Sequence, residues 1–398
     1  MGLGLRIYRV IYQGEGMAQK RSIFEEVASG EKPTVSKPQT GMIDQGRGGR
    51  QGLVYWLIGL FILVLLMILV GGLTRLTDSG LSITEWKPVT GAMPPLSEAA
   101  WIAEFELYQA IPEYQLENQG MSLAEFKSIY WWEWGHRQLG RVIGLVWAVG
   151  FAGFWWMKRI PTGWHLRLFG IGVLGGLQGA IGWWMVSSGL SGNMVDVASY
   201  RLAVHLGLAF IILGLIAAYV LALSRRDADL MQARRGREAG LVSLMKVVLA
   251  LAFLQVLLGA LVAGIDAGRG YTDWPLMAGQ FFPEGALDLS PVWRNFFEEA
   301  GMVQFMHRMS GYLLFAVGVY AWRRSRRSGN DATKRGFDWM AVILFGQIVL
   351  GIGTVMYSAP VSLAILHQLG AVVLWVLMIR ARFLAGYPVT QRIKRAGE

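Results

Sequence analysis

Apolar residues along this chain gather into eight long runs, with little of the alternation expected of strands. Their cores fall near 52–72, 136–156, 166–186, 202–223, 244–264, 303–322, 338–357 and 361–379. A helix crossing a bilayer needs roughly 20 apolar residues. The pattern predicts an all-α integral membrane protein with eight transmembrane helices.

The polar stretches between the runs fix an orientation. Basic residues occupy the N-terminal tail (Lys20, Arg21, Lys32, Lys37, Arg47, Arg50), the second-to-third link (Lys158, Arg159, Arg167) and the fourth-to-fifth link (Arg225, Arg226, Arg234, Arg235, Arg237). They recur in the sixth-to-seventh link (Arg323, Arg324, Arg326, Arg327, Lys334, Arg335) and the C-terminal tail (Arg392, Lys394, Arg395). With eight spans, all of these lie on one side, the cytoplasm or a mitochondrial matrix, and both termini lie there too. The intervening loops are poor in Lys and Arg. Two of them, roughly 73–135 and 265–302, are long, and the first is acidic. Two long loops on one face read as caps over a site.

Residues 1–50 are polar and lack the apolar region of a secretory signal, and Glu25, Glu26 and Glu31 argue against a mitochondrial transit peptide. They are expected to be a disordered cytoplasmic tail, with Met17 an alternative start to Met1. A bacterial cytoplasmic (inner) membrane is the favoured location, and the mitochondrial inner membrane the alternative.

The two halves of the chain repeat each other. Gly71-Gly-Leu-Thr-Arg-Leu-Thr-Asp78-Ser-Gly80, leading to Trp86, matches Gly259-Ala-Leu-Val-Ala-Gly-Ile-Asp266-Ala-Gly268, leading to Trp274. His136-Arg137-x-x-Gly140 matches His307-Arg308-x-x-Gly311. Gln178-x-x-x-Gly182 matches Gln347-x-x-x-Gly351, and His205 matches His367. This predicts two pseudo-symmetric four-helix bundles, 51–230 and 231–380, followed by a cytoplasmic tail at 381–398. Bundle interiors are where cofactors sit.

Composition narrows the chemistry. Only 16% of residues are charged and mean hydropathy is positive, as lipid burial requires. The net charge of +10 is accounted for by the one-sided loops, so nucleic acid is not an expected partner. There are no cysteines, which removes disulfides, thiolate zinc, iron–sulfur clusters and covalently attached haem.

Histidine is the remaining strong ligand. His136, His205, His307 and His367 begin the even-numbered spans, within about two turns of the outer surface. Each half thus offers two histidines at one depth on two helices, the arrangement that bis-imidazole haem ligation needs. Copper or zinc would want further ligands close by, and neither half supplies a cysteine or another histidine at that end of the helices. His165 has no partner and receives no role. Arg137 and Arg308 follow their histidines, and Arg75 ends the first span. All three are candidates for haem propionates, with snorkelling to the interface as the alternative.

One difference breaks the repeat. Glu133 lies three residues before His136, whereas Gln304 occupies that place before His307. A carboxylate beside only one pair reads as chemistry there, a general base or a counter-charge. The alternative is an exposed acid favouring a helix start.

These motifs carry a resemblance. Gly71–Ser82, Trp86–Pro95, Pro112-Glu113-Tyr114 and Glu125–Arg137 are similar to segments of the haem A synthase family, as are Val262–Gly268, Trp274–Met277 and Val303–Arg308. The match runs over roughly 50–380 and is nearest to the cysteine-free class of mitochondria and alphaproteobacteria. The resemblance implies oxidation of the C8 methyl of haem O to a formyl group, giving haem A for cytochrome oxidase. It implies that His136 and His205 border the substrate haem, that His307 and His367 ligate a haem b, and that Glu133 is the family's essential glutamate. Haem O synthase and cytochrome oxidase assembly factors are the implied partners, besides membrane lipid, and a homo-oligomer stays open. Two rival readings are a dihaem b cytochrome that only moves electrons, and a haem carrier or chaperone.

Overall fold

The computed structural model describes residues 47–192 and 194–390. The expected cytoplasmic tails, and Met17 with them, lie outside the described residues, except for the stretches 47–50 and 381–390. No strand occurs among the described residues. The helices are α1 (Arg47–Leu76), α2 (Glu98–Gln109), α3 (Pro112–Leu116), α4 (Leu123–Trp156), α5 (His165–Val186) and α6 (Ser199–Leu223). They continue with α7 (Asp227–Arg234), α8 (Ala239–Gly264), α9 (Asn295–Glu298), α10 (Ala300–Ser325), α11 (Asp331–Met356) and α12 (Val361–Gly386).

Seven of these are long and apolar enough to cross a membrane: α1, α4, α5, α6, α8, α11 and α12. Large apolar side chains such as Leu145, Val149, Phe345 and Val349 stand exposed on them, as lipid contact requires. The chain is a multi-pass helical membrane protein. The helix at the expected sixth span, α10, is as long as its neighbours but carries Gln304, His307, Arg308, Arg323 and Arg324, which dilute its apolar character.

The second span differs from its expected bounds. Hydropathy places its core at 136–156, but α4 begins at Leu123. The Ser122 hydroxyl accepts from Glu125 N–H while the Glu125 carboxylate accepts from Ser122 N–H, a reciprocal cap that starts the helix early. Hydropathy detects only the lipid-facing length. Glu133 and His136 are therefore interior helix residues, about three turns in.

Helix α1 packs on α4 and α6, and α5 packs on α4 and α6. The same four pairings recur with α8 on α10 and α12, and α11 on α10 and α12. Leu53, Leu57, Phe210 and Leu213 fill the first set, and Met245, Phe337, Met340 and Met378 the second. The sets meet along α6–α8, α6–α12 and α1–α12. Polar ties reinforce this seam. Gln368 Nε2 donates to Ile68 O at 2.6 Å, and Trp375 Nε1 to Phe210 O at 3.0 Å. Arg75, at the end of α1, reaches Asp78 at 2.7 Å, Asp266 at 3.1 Å and Asp196 at 3.2 Å.

The first long loop is an ordered cap. Trp101, Tyr108, Ile111, Phe126 and Tyr130 form its core. Glu113 is buried in this cap at 4% exposure, and its Oε2 has no hydrogen-bond partner.

Candidate functional site

The four histidines arrive on α4 (His136), α6 (His205), α10 (His307) and α12 (His367). The rings of His307 and His367 have centres 6.5 Å apart and planes inclined at 71°. Two imidazoles on opposite sides of one metal ion, each bonded at roughly 2 Å, would place their ring centres about 6 Å apart. His136 and His205 are electrostatic neighbours.

Each ring lies in a notch made by a glycine of an adjacent helix. A Cβ built on Gly182 would come within 2.8 Å of His205 Cε1, and one on Gly351 within 2.9 Å of His367 Cε1. The corresponding approaches are 3.2 Å for Gly259 to His307 Cε1 and 3.0 Å for Gly71 to His136 Nε2. At Gly182 and Gly351 a methyl group would force the ring to move, and at Gly71 and Gly259 it would press the ring by a few tenths of an ångström.

Three of the histidines each have a glutamine partner of their own. Gln178 Nε2 donates to His205 O at 3.0 Å and lies 3.2 Å from its Nδ1. Gln255 does the same to His307, at 3.0 and 3.2 Å, and Gln347 to His367, at 2.6 and 3.2 Å. The Oε1 atoms of Gln178 and Gln255 are buried without partners. An imidazole that binds a metal through Nε2 keeps its proton on Nδ1 and needs an acceptor there. As placed, each amide turns its nitrogen to the ring, 3.2 Å from Nδ1 and, for His205 and His307, 3.4 and 3.2 Å from Nε2, so the orphaned oxygen of the same amide meets an Nδ1 proton once the ring or the amide turns. Ring spacing, glycine notches and unspent acceptors all fit a flat group held by axial imidazoles. Among the described residues, no group of three or more His, Asp or Glu forms an alternative metal cluster.

Sequence reasoning noticed Gln178 and Gln347 only as repeat markers and missed Gln255. The signal was present as Gln-x-x-x-Gly at 178–182, 255–259 and 347–351.

Glu133 is buried at 2% exposure, which removes the reading of an exposed acid at a helix start. Its Oε2 accepts from Ser82 Oγ and Ile83 N, both at 2.7 Å. Its Oε1 accepts from Arg137 Nη2 at 2.6 Å and Nε at 3.0 Å. Gln304 is oriented by the equivalent loop but with the opposite polarity. It donates to Ala267 O at 2.8 Å and Tyr271 O at 3.2 Å, and accepts from Arg308 at 2.9 Å. The first cap therefore presents donors to a carboxylate, and the second presents acceptors to an amide.

Arg137 also donates to Ile83 O and Glu85 O, and Arg308 to Tyr271 O, Asp273 O and Leu276 O. Both arginines staple a cap loop to the helix that carries a histidine, rather than snorkelling freely. Arg75 is engaged by its three aspartates. A cavity of about 260 Å³ in the first cap is lined by Ile83, Lys87, Glu104, Tyr130, Arg137 and Arg141, so it shares two residues with the Glu133 network. Glu113 is a second buried acid of this cap. Burial, then the charges of Glu133, Asp196, Asp78 and Glu117, push it up to about 8. His165 begins α5, away from these features.

Comparison with known proteins follows the same outline. Residues 54–379 match the family model COX15-CtaA, described as cytochrome oxidase assembly protein. The chain is 65% identical to the heme A synthase of Dinoroseobacter shibae over 382 residues, 96% of this chain and 100% of that protein. It is 61% identical to the heme A synthase of Ruegeria pomeroyi, covering 95% of this chain and 100% of that protein. It is 59% identical to one from Cereibacter sphaeroides, covering 95% and 98%.

Proposed function

The chain belongs to the COX15-CtaA family of cytochrome oxidase assembly proteins, and from that premise we propose that it oxidises the C8 methyl of haem O to the formyl group of haem A. The observation that carries this reading is the Glu133/Gln304 difference, one buried carboxylate beside one of two matching histidine pairs. A protein that only relays electrons would have no use for that difference.

The eight helices α1, α4, α5, α6, α8, α10, α11 and α12 are read as eight spans in two four-helix bundles, with both termini cytoplasmic in a bacterial inner membrane. Residues 51–230 form the substrate half and 231–380 the cofactor half. His136 and His205 hold the substrate haem. His307 and His367 hold a haem b, which when bound supplies one-electron exchange with an external partner. Cytochrome oxidase assembly factors and haem O synthase stand on either side of the reaction.

The chain's own residues set the chemistry of the first site. A methyl carbon that becomes an aldehyde takes up one oxygen at the level of water and gives up four electrons and four protons in all. Glu133 fixes a carboxylate at the pair where this happens, as a proton acceptor or a counter-charge to the oxidised carbon. Ser82, Ile83 and Arg137 hold that carboxylate from both oxygens, so it is positioned before substrate arrives. Arg137 reaches from the carboxylate to the wall of the cap cavity, placing polar groups between the acid and the outer surface. The notch glycines let the macrocycle's ligands seat close to neighbouring helices.

Co-expression with a haem O synthase, followed by chromatography of the extracted haems, tests this. Haem A should appear. Glu133→Gln should lower its yield at least about 100-fold, the low end of what a general acid–base contributes, with haem content kept. Unchanged haem O and haem b with the wild-type chain would instead select an electron-transfer cytochrome or a haem carrier.

A further inference from the structure

The glutamines divide the histidines three to one. His205, His307 and His367 each have a glutamine whose amide nitrogen donates to the histidine's own carbonyl and lies 3.2 Å from Nδ1, which keeps the amide oxygen within a side-chain turn of an Nδ1 proton, and each turns Cε1 toward its notch glycine. His136 does neither. Among the described residues its ring has no hydrogen-bond partner, and the atom nearest the Gly71 notch is Nε2.

The cause is one residue. Aligning Gly71–Asp78 with Gly259–Asp266 puts Met67 at the register of Gln255. The two side chains fill the same place. Gln255 Nε2 would lie 3.3 Å from a Cβ on Gly311, and Met67 Cε 3.5 Å from one on Gly140, each glycine four residues after its histidine. A thioether has no hydrogen to donate and accepts weakly. It can hold neither the His136 backbone carbonyl nor a proton on Nδ1.

A partner on the second ring nitrogen fixes the orientation of a ligating imidazole and raises its basicity, and losing it typically costs 10–100-fold in metal affinity. Resting on the reading that both pairs ligate haem, we propose that the first pair joins one fixed ligand to one releasable ligand: His205, held by Gln178, stays on the iron while His136, backed only by Met67, lets go and rebinds as substrate enters and product leaves. The second pair has glutamines at both ends, Gln255 and Gln347, which suits a group kept through many turnovers. Met67 is a positioning residue through what it withholds. Its effect needs only a ring rotation of His136, not a movement of α4.

The test follows haem loss from the full-length protein. The detergent-purified chain is loaded with ferric haem O and mixed with excess apomyoglobin, and transfer is followed by absorbance. Wild type should show a fast phase from the first pair and a slow phase from the second. Met67→Gln should slow the fast phase roughly 10–100-fold and raise the low-spin bis-imidazole signal in electron paramagnetic resonance, while the slow phase stays put. Met67→Leu, similar in volume and without an amide, should behave as wild type. A Met67→Gln fast phase equal to wild type overturns the proposal, and so does a Met67→Leu protein slowed as much as Met67→Gln. Gln178→Met provides the converse, a fast phase accelerated by a similar factor; an unchanged fast phase there also overturns it. If His136→Ala and His205→Ala leave both phases intact, the haem-ligation reading itself has failed, a result distinct from failure of the Met67 proposal alone.

Discussion

Single residues show most plainly what a sequence conveys. The four histidines and the Glu133/Gln304 difference were legible, because duplication printed one arrangement twice and exposed the position that changed. The burial of Glu133 was not legible, since it depends on a cap loop returning Ser82 and Ile83 to α4 from about 50 residues away. The burial of Glu113 was hidden for the same reason, although Pro112-Glu113-Tyr114 stood out as a motif. Its folded value of about 8 lies above the 4.5 of an exposed glutamate, so the native cap holds a proton that the unfolded chain releases. The stability from this proton is fully present below pH 4.5, falls as pH rises, and is gone above about 8. The swing is on the order of a few kcal/mol. Glu113→Gln should flatten this dependence and make the cap more stable than wild type at alkaline pH, as read by hydrogen exchange in α2 and α3 across pH 5–9. A wild-type cap whose protection rises with pH over that range would contradict it.

At the scale of elements, apolar run length located the helices, but it could not set their ends. Helix α4 starts early because of a polar capping box, which hydropathy does not register. Glycine spacing was equally ambiguous in the sequence, since small residues pack helices together in any membrane protein. The structure resolves them into notches for histidine rings at Gly71, Gly182, Gly259 and Gly351, while Gly353 faces open space. A glycine-to-alanine change inside a helix should by itself gain up to about 1 kcal/mol in propensity. Loss of function at a notch would therefore report the clash. Gly351→Ala, whose methyl would stand 2.9 Å from His367 Cε1, should reduce bound haem per protein in a pyridine haemochrome assay, with helix content unchanged. Gly353→Ala should retain full haem. Equal haem in both variants would mean the notch is packing alone.

The whole molecule depends on how its two sets of helices meet. Duplication was readable, and so was the pairing of histidines within each half. The seam was not, because Gln368–Ile68 and Arg75–Asp266 are contacts between distant segments that no local pattern announces. Arg75 is little exposed at 11%, while its aspartates are 38–57% exposed, so the tie lies between a surface and a buried ion pair. Arg75→Met should cost roughly 1–3 kcal/mol of stability, read as a lower melting temperature, and Arg75→Lys should recover part of it. A melting temperature unchanged in Arg75→Met would show that the aspartates lose nothing. The central claim, however, is that matching pairs have unlike duties. The most direct measurement is the identity of the haem retained by purified variants from cells that also make haem O. His136→Ala and His205→Ala should each keep haem b and lose haem O and haem A, whereas His307→Ala and His367→Ala should each lose haem b. Identical haem profiles from the two kinds of variant would contradict the division of labour between the pairs.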